Sequence, residues 1–374
     1  MKSAKRFASS SVVQCRSRVC STGIDKALNL KCKIMQLLIV FVAMLMLIVG
    51  CSVENDGAGT PAGTFAGPGR PECIAPSAPG GGFDLTCKLA QKGLMDLELL
   101  PKPMRITYQP GGIGAVAMNT VVAQRADDGN TIVAFSGGSL LNLAQGKFGR
   151  YNEDDVRWVA AASIDYGMLA VREDSPFRSL ADLIDALKND PTSIVFGAGG
   201  TVGSQDWMKS AIIAREAGID YRSMRYVPFE GGGEAQIALL GNYIQVYSGD
   251  ISEIQGMLES KRLRVLAVMS DLRLPSPYAD VPTAKEQGFA LTWPILRGYY
   301  TGPEVSDVNY RWWVQSFDTM LADTRFDRLR QEFGMFPYTK TGIDLDAEIK
   351  QRMEHYRMLV QEFGLGSDAS TGNE

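Results

Sequence analysis

The sequence predicts an α/β protein built around mainly parallel β-sheets. Two patterns support this prediction: short apolar runs alternate with amphipathic stretches, and glycine-rich turns lie where predicted strands pass into predicted helices. Of the 374 residues, 45% are hydrophobic and 21% are charged, which supplies a sizeable core and excludes a disordered chain. The length allows two or three domains.

The predicted elements follow a βαβ order along the chain. A first group comprises strand 104–108, helix 115–124 and strand 131–135. A second group comprises helix 180–188, strand 194–196, helix 205–217, strand 224–228, helix 234–240, strand 244–247, helix 251–259 and strand 264–269. Two long amphipathic helices follow, at 310–333 and 345–363. Apolar residues such as Trp313, Phe317 and Leu321 recur at helical spacing, so we expect these helices to cover a sheet face.

Residues 1–50 are typical of an export signal. Basic residues precede an unbroken apolar run at 37–49, which is shorter than the ~20 residues of a membrane-spanning helix. The run ends at Ile48-Val49-Gly50-Cys51, which is similar to a bacterial lipobox and predicts lipidation of Cys51. The alternative is ordinary cleavage with Cys51 unmodified. Residues 51–71 are rich in Gly, Ala, Thr and Pro and are expected to form a flexible tether. The sequence thus predicts a periplasmic or other extracytoplasmic protein whose membrane contact is a lipid anchor.

Composition and charge exclude several function classes. The single histidine, His355, argues against histidine-based metal sites and against a nucleophile-His-acid triad. Residues 1–50 hold eight of the 38 basic residues and one of the 42 acidic ones, so the exported body is strongly acidic and unsuited to nucleic acid. No P-loop motif occurs, and Gly197 and Gly199 lack the third glycine of a dinucleotide motif. We therefore expect no catalysis, no metal and no organic cofactor.

Two cysteines, Cys73 and Cys87, remain in the body after export. A pair of cysteines in an oxidising compartment favours a disulfide. Two buried thiols are the alternative, because the sequence does not reveal the distance between their Cα atoms.

Glycine-rich turns are the most informative motifs. They lie at 79–84, 110–114, 197–204 and 230–233, with a weaker example at 136–139. Glycine lets several backbone N–H groups point toward one anion, and the start of the following helix adds its own N–H groups and dipole. Such loops gather at the carboxyl ends of parallel strands, where ligands bind. Together they predict a site for a carboxylate-bearing ligand, although any one of them alone could be an ordinary turn.

The candidate ligand-binding residues are Gly81, Gly82, Phe83, Asp84, Gly111, Gly112, Ser136, Gly137, Gly200, Thr201, Gly203, Ser204, Gly232 and Asp250. Two of them, Asp84 and Ser204, have structural alternatives. Asp84 could cap a helix or accept hydrogen bonds from its own turn, and Ser204 could cap a helix. A carboxylate such as Asp84 or Asp250 beside an anionic ligand is costly unless a proton, a cation or water intervenes.

A series of ordered motifs resembles one protein family. The motifs are PGGGFDLTCKLAQ, QPGGIGAVAMN, TIVAFSGGSLLNLAQGKFGRY, IVFGAGGTVGSQDWMKSA, VPFEGGGEA and LRVLAVMSDLRLPSPYADVPTAKEQGF. Over about residues 72–365 the chain is similar to the periplasmic receptors of the tripartite tricarboxylate transporter system, the TctC or Bug family. The first motif looks most like that of the citrate-type members.

The resemblance implies a two-domain periplasmic binding protein, type II-like. Each domain would be a mainly parallel sheet flanked by helices, with the ligand in the cleft between them. Domain 1 would comprise 72–172 with 296–374, and domain 2 would comprise 173–295, with chain crossings near 169–174 and 293–300. The resemblance assigns one ligand carboxylate to residues 81–84, and another to Gly200, Thr201, Gly203 and Ser204.

The function that the resemblance implies is capture of citrate or a similar di- or tricarboxylate and its delivery to a membrane permease. Two alternatives remain open at this point. One is a sensory accessory protein that reports carboxylate binding to a signalling partner, and the other is an exported hydrolase or lyase on the same scaffold.

Overall fold

The computed structural model describes residues 67–366, which belong to one compact unit. The predicted signal segment, most of the tether and Cys51 lie outside the described residues. The strands of the described part are β1 (Glu72–Ala75), β2 (Arg105–Tyr108), β3 (Thr131–Ser136), β4 (Arg157–Arg172), β5 (Val195–Gly199), β6 (Arg225–Phe229), β7 (Val246–Asp250), β8 (Leu263–Val268), β9 (Pro294–Thr301) and β10 (Phe336–Thr341). Its α-helices are α1 (Gly82–Asp96), α2 (Ala115–Gln124), α3 (Gly137–Ala144), α4 (Leu180–Asn189), α5 (Gln205–Glu216), α6 (Gly232–Leu240), α7 (Gln255–Glu259), α8 (Asp307–Leu321), α9 (Thr324–Glu332) and α10 (Gly342–Glu362).

The strands pair in the order β2-β1-β3-β9-β4-β7-β5-β6, and β10 and β8 also pair with β4. Strand β4 is shared between two sheets. Its first part pairs with β9 and β10, which together with β1, β2 and β3 form the first sheet. Its second part pairs with β7 and β8, which together with β5 and β6 form the second sheet. Each sheet has a parallel portion, centred on β1 and on β5, and antiparallel strands beside it.

Burial of the strands explains their apolar sequences. Strands β1, β3, β5 and β7 are buried along their whole length, as expected for parallel strands with helices on both faces. Trp313 and Phe317 of α8 are fully buried and Leu321 nearly so, in a cluster with residues of α1, β1 and β3. The predicted cover of a sheet face by this helix is confirmed. The mixed α/β class predicted from the sequence is also confirmed.

Two predicted helices differ from the observed ones. The predicted helix 310–333 is two helices, α8 and α9, because Asp323 caps a new start by accepting a hydrogen bond from the Arg325 amide at 2.8 Å. The predicted helix 251–259 begins as a 3₁₀ turn, Ile251–Ile254, in which Asp250 and Glu253 form a capping box before α7. Strands β1 and β10 and most of β4 were not predicted. In β10 polar and apolar residues alternate only weakly along the strand.

Cys73 of β1 and Cys87 of α1 are joined by a disulfide, with their Cα atoms 5.7 Å apart. Both side chains are fully buried. The bond therefore fixes α1 against the first sheet. Within residues 67–366, no helix combines the length and apolar character needed to cross a bilayer. The division into the two sequence-predicted domains stays a prediction.

Candidate functional site

A cavity of about 40 Å³ lies where the carboxyl ends of strands from both sheets meet. The first sheet supplies residues after β1 and at the end of β3, and the second sheet supplies the ends of β5 and β7 and the loop after β6. Ligands of open α/β sheets bind at this position. The cavity is lined by Ser77, Gly81, Gly82, Phe83, Ile113, Ser136, Gly199, Gln205, Asp206, Glu230, Gly231, Gly232, Asp250, Glu253 and Arg297.

Helices α1 and α6 begin on opposite sides of this cavity. The N-cap residue of each is a glycine in extended conformation, Gly81 for α1 and Gly231 for α6, so neither N-cap residue has a side chain that could cap its helix. A Cβ on Gly81 would lie 3.4 Å from the Gly232 amide nitrogen, so the two helix starts are close together. Backbone N–H groups and the positive dipole end at such a start favour anions. The cavity can therefore present helix N-termini to a carboxylate from two sides.

Asp84, in the first turn of α1, is engaged within the protein. One of its oxygens accepts hydrogen bonds from the Gly80 amide and from Lys88, both at 2.7 Å, and the other accepts from the Tyr108 hydroxyl at 2.9 Å. The side chain is fully buried and does not line the cavity. Asp84 thus shapes the glycine turn before α1, which agrees with the structural alternative considered for it.

Glu253, from the 3₁₀ turn after β7, reaches across the cavity to the start of α1. Its Oε1 accepts a hydrogen bond from the Gly82 amide at 2.6 Å, and its Oε2 is hydrogen-bonded to the Tyr247 hydroxyl. A carboxyl group of the chain itself therefore occupies the anion position at the α1 N-terminus. At the α6 start, the N-cap residue Gly231 supplies no side-chain cap, and Glu253 Oε2 and the Tyr247 hydroxyl lie so close to Gly232 that a Cβ there would overlap them.

Two buried cations are compensated by carboxylates behind the cavity. Arg297 of β9 donates to Asp165 at 2.7 Å and to Asp250 at 2.6 Å, which links the first sheet to the second. Lys209 of α5 donates to Asp250 at 2.9 Å and lies 2.8 Å from Asp206. All five side chains are nearly or fully buried. Buried ions need such partners because leaving water is costly for each charge.

Burial dominates the protonation of these groups. Burial, followed by the Asp250 and Asp206 carboxylates, raises the pKa of Glu253 to about 8. Burial raises the pKa of Asp206 to about 6, although the Lys209 ammonium opposes this. Burial also raises the pKa of Asp165 against the effect of Arg297. Glu253 therefore holds a proton near neutral pH in the folded protein.

We expect the free energy of unfolding to fall as the pH rises from 5 to 8. Glu253 and Asp206 have folded pKa values of about 8 and about 6, above their ordinary values of 4.5 and 3.8. The folded state thus retains protons that the unfolded chain has lost, and stability decreases until the folded groups ionise too. Urea denaturation should show a loss of about 2 kcal/mol or more across this range. The Glu253→Gln variant should show a smaller pH dependence, and an unchanged slope would contradict the assignment.

A second cavity, of about 320 Å³, adjoins the first and shares Ile113 and Glu230 with it. Ile113 has φ 54° and ψ 42°, a left-handed conformation that is strained for a β-branched residue. A Cβ on Gly200, which belongs to the second sheet's side, would overlap Ile113 Cδ1. Ile113 therefore separates the inner cavity from the outer one by packing against a glycine of the opposite side.

Comparison of the sequence with known protein families identifies the family to which this chain belongs. Residues 88–365 match the family of tripartite tricarboxylate transporter family receptors, TctC. The chain is a member of the TctC family.

Individual relatives of this TctC chain are distant in sequence but similar in fold. It is 25% identical over 301 residues to a UPF0065 protein of Bordetella pertussis, covering 80% of this chain and 91% of the relative. The periplasmic binding protein BugD has a TM-score of 0.73 and 19% identity, over 80% of this chain and 99% of BugD. MatC of Rhodopseudomonas palustris with bound malate has a TM-score of 0.69 and 19% identity, over 78% of this chain and 98% of MatC. The two-domain periplasmic binding protein fold expected from the sequence is thereby shown.

The predicted ligand-binding residues of the TctC chain fall into three groups. Those that line the inner cavity are Gly81, Gly82, Phe83, Ser136, Gly232 and Asp250. Those that line the outer cavity are Gly112, Gly200 and Thr201. Those that line neither are Asp84, Gly111, Gly137, Gly203 and Ser204. Ser204 caps α5 by accepting from the Trp207 amide at 3.4 Å and donates to the Gly199 carbonyl at 3.0 Å, as its structural alternative states.

Sequence reasoning missed most of the charged lining. Glycine turns gave a signal for Gly199 and Gly231, which belong to motifs that had been recognised. Asp206 and Glu230 also adjoin those motifs and could have been found by their position. Arg297 gave no local signal, since its partners Asp165 and Asp250 lie 132 and 47 residues away in sequence. Glu253 forms a local capping box with Asp250, which the sequence analysis did not recognise.

His355, which was considered for metal binding and catalysis, lines neither the inner nor the outer cavity. His355 lies on α10 and borders a separate pocket with Trp293 and Tyr356. Within residues 67–366, no group of three or more His, Cys, Asp or Glu side chains is arranged to hold a metal ion.

Proposed function

We propose that this TctC family member is an extracytoplasmic receptor that captures a small carboxylate between its two lobes and delivers it to a membrane permease of the tripartite tricarboxylate transporter system. The observation that carries the proposal is the pair of glycine helix starts, Gly81 and Gly231, on opposite sides of one cavity. The malate bound to MatC, a protein of the same fold, supports the ligand class. We further propose that residues 1–50 direct export and that Cys51 carries the lipid anchor, which mass spectrometry of the mature amino terminus would test.

The ligand proposed from the sequence is citrate or a similar di- or tricarboxylate. The Gly82 amide already bonds to Glu253, so a ligand carboxylate at the α1 start would have to displace that side chain. Four carboxyl side chains line the cavity. Glu253 holds a proton near neutral pH, and the other three, Asp206, Glu230 and Asp250, disfavour a ligand of high negative charge. Within the proposed class, dicarboxylates are therefore favoured over citrate.

Calorimetric titration of the mature protein with citrate, malate, succinate, adipate and acetate tests this proposal. We expect at least one dicarboxylate to bind with a dissociation constant in the micromolar range, about −8 kcal/mol. Several charge-assisted hydrogen bonds from backbone N–H groups suffice for this affinity. If no acid in the panel produces heat with protein that is folded by circular dichroism, the proposed ligand class is wrong.

Gly231→Ala provides the matched variant for this titration. A Cβ on Gly231 would contact only the Ser77 Cβ, at 3.6 Å, so the fold accepts it, and its backbone suits any residue. The added methyl group occupies the position from which an anion reaches the α6 amides, so binding should weaken at least tenfold with an unchanged melting temperature. Gly256→Ala, where a Cβ meets nothing within 4 Å, is the control and should bind like the wild type. Gly82 is less informative, because a side chain there would overlap the Arg297 guanidinium.

A further inference from the structure

The carboxyl group of Glu253 lies between the starts of two helices. Its Oε1 accepts a hydrogen bond from the Gly82 amide at 2.6 Å and lies 3.8 Å from the position that a Cβ on Gly81 would take. On the other side, a Cβ on Gly232 would overlap Oε2. The start of α1 follows β1 of the first sheet, and the start of α6 follows β6 of the second. A side chain of the protein itself therefore occupies the space between the two helix starts, where an anion would be held.

The hydrogen bond between Glu253 and Gly82 joins the two sheets away from the strand that they share. Glu253 is also hydrogen-bonded to the Tyr247 hydroxyl and to the Asp250 amide, within β7 and the turn that follows it. Arg297 and Asp250 join the sheets too, but their strands, β9 and β7, both pair with β4. Gly82 follows β1, which β3 and β9 separate from β4. An opening motion about β4 can therefore break the bond to Gly82 and retain the link through Arg297.

Glu253 is a weaker occupant of this position than an ionised carboxylate. Burial and the neighbouring Asp250 and Asp206 carboxylates raise its pKa to about 8, although Arg297 opposes this, so the group carries a proton near pH 7. The positive end of a helix favours a negative charge, and hydrogen bonds to an ionised acceptor are stronger than those to a neutral one. An ionised carboxylate that enters the cavity is therefore able to replace the Glu253 side chain.

We propose that Glu253 is a built-in competitor of the ligand, that its bond to Gly82 holds the two walls of the inner cavity together in the empty protein, and that a ligand carboxylate displaces it. This inference rests on the proposed receptor function and concerns the regulation of its binding site. Glu253 raises the ligand concentration at which the receptor fills, because each binding event must first break a bond that the empty protein already makes.

Three substitutions of Glu253 separate the length of the side chain, its hydrogen bond and its proton. Glu253→Ala removes the bond to Gly82. Glu253→Asp retains a carboxyl group for the capping box, but it is one methylene group shorter and does not reach Gly82. Glu253→Gln keeps the length and the acceptor and removes the ionisable proton. Glu259→Ala, at an exposed carboxylate of α7 that lines neither cavity, is the control.

The first measurement uses the mature protein without ligand, after unfolding in urea and refolding with the disulfide intact have removed any bound molecule. Gly82 lies in the first turn of α1, where amides have no acceptor within the helix, so hydrogen exchange of this amide reports its bond to Glu253. Electron-transfer fragmentation and mass spectrometry resolve the exchange of single amides.

We expect the Gly82 amide to exchange at least tenfold faster in Glu253→Ala and Glu253→Asp than in the wild type. Small-angle X-ray scattering should also give these two variants a larger radius of gyration, because the cavity walls separate. Glu253→Gln and Glu259→Ala should match the wild type in both measurements. If Glu253→Ala and Glu253→Asp have the exchange rate and the size of the wild type, the inference is overturned, whatever the protein binds.

The second measurement is calorimetric titration of the same proteins with malate and succinate at pH 7. We expect Glu253→Ala to bind at least fivefold more tightly than the wild type, because the ligand no longer has a competitor, and Glu253→Gln to remain within twofold. Equal or weaker binding by Glu253→Ala overturns the inference and leaves the receptor function standing. If no protein of the set binds these two acids or the rest of the carboxylate panel, the proposed function fails and the inference fails with it.

Discussion

Replacing Arg297 with methionine is expected to lower the free energy of unfolding by about 3–5 kcal/mol, a large share of the 5–15 kcal/mol typical of a folded protein. The guanidinium bonds to Asp165 and Asp250, and all three side chains are almost completely buried. Methionine fills similar space but leaves two carboxylates facing each other in a region of low polarity. Urea denaturation followed by circular dichroism measures this loss.

The loss should be smaller at pH 5 than at pH 8. Burial already raises the pKa of Asp165, and without Arg297 that carboxyl can relieve the repulsion by taking up a proton at the lower pH. Arg273→Met is the matched control, since the 2.9 Å pair of Arg273 with Glu286 is exposed and should contribute less than about 1 kcal/mol. Equal losses for the two variants would show that the buried cluster does not need its cation.

Replacing both Cys73 and Cys87 with alanine is expected to cost about 3 kcal/mol of stability, the value for a disulfide that closes a loop of about 15 residues. The closed loop contains the glycine turn and the first turns of α1. Removal of the disulfide gives the unfolded chain more conformational freedom, and it also removes the covalent link between α1 and β1 in the folded state. We therefore expect weaker ligand binding as well as a lower urea midpoint.

The single variant Cys87→Ala separates the effect of losing the disulfide from the effect of losing the packing of both sulfur atoms. It removes the bond but retains Cys73, so its stability should be close to that of the double variant. Wild-type protein that is reduced while unfolded in urea and refolded under reducing conditions should show the same midpoint as the double variant. A double variant within about 0.5 kcal/mol of oxidised wild type would contradict a stabilising role for the bond.

The order of strands and helices over 104–135 and 180–269 could be predicted from the sequence because it depends on local patterns, whereas β1 and most of the shared strand β4 lie outside these ranges and were not predicted. Helix α2 has the bounds predicted for it, and strands β3 and β6 lie within one residue of theirs. The glycine turns also predicted where helices begin beside the cavity, since backbone conformation at Gly81 and Gly231 follows from the local sequence. The break between α8 and α9 was missed because the cap at Asp323 outweighs a continuous apolar periodicity.

The charged part of the site could not be predicted, because it is assembled from distant segments. The Gly82 amide and Glu253 are 171 residues apart in sequence, and Arg297 is 132 residues from Asp165. For Arg297 no carboxylate partner lies within twenty residues, and the local capping box of Glu253 with Asp250 does not reveal its bond to the start of α1. Their roles arise from the shared strand β4 and the meeting of the two sheets, which place the ends of β7 and β9 near the start of α1.

The position of Ile113 has a consequence for the rate at which a ligand enters and leaves the inner cavity. Its side chain packs on Gly200 between the inner and outer cavities, while its own backbone is held in an unfavourable region that costs about 1–3 kcal/mol. A backbone change at Ile113 that withdraws this side chain also releases that cost, which makes the contact easier to break. We expect a molecule in the inner cavity to be retained or lost at a rate set by one isoleucine, with the equilibrium strength of its binding set by other residues.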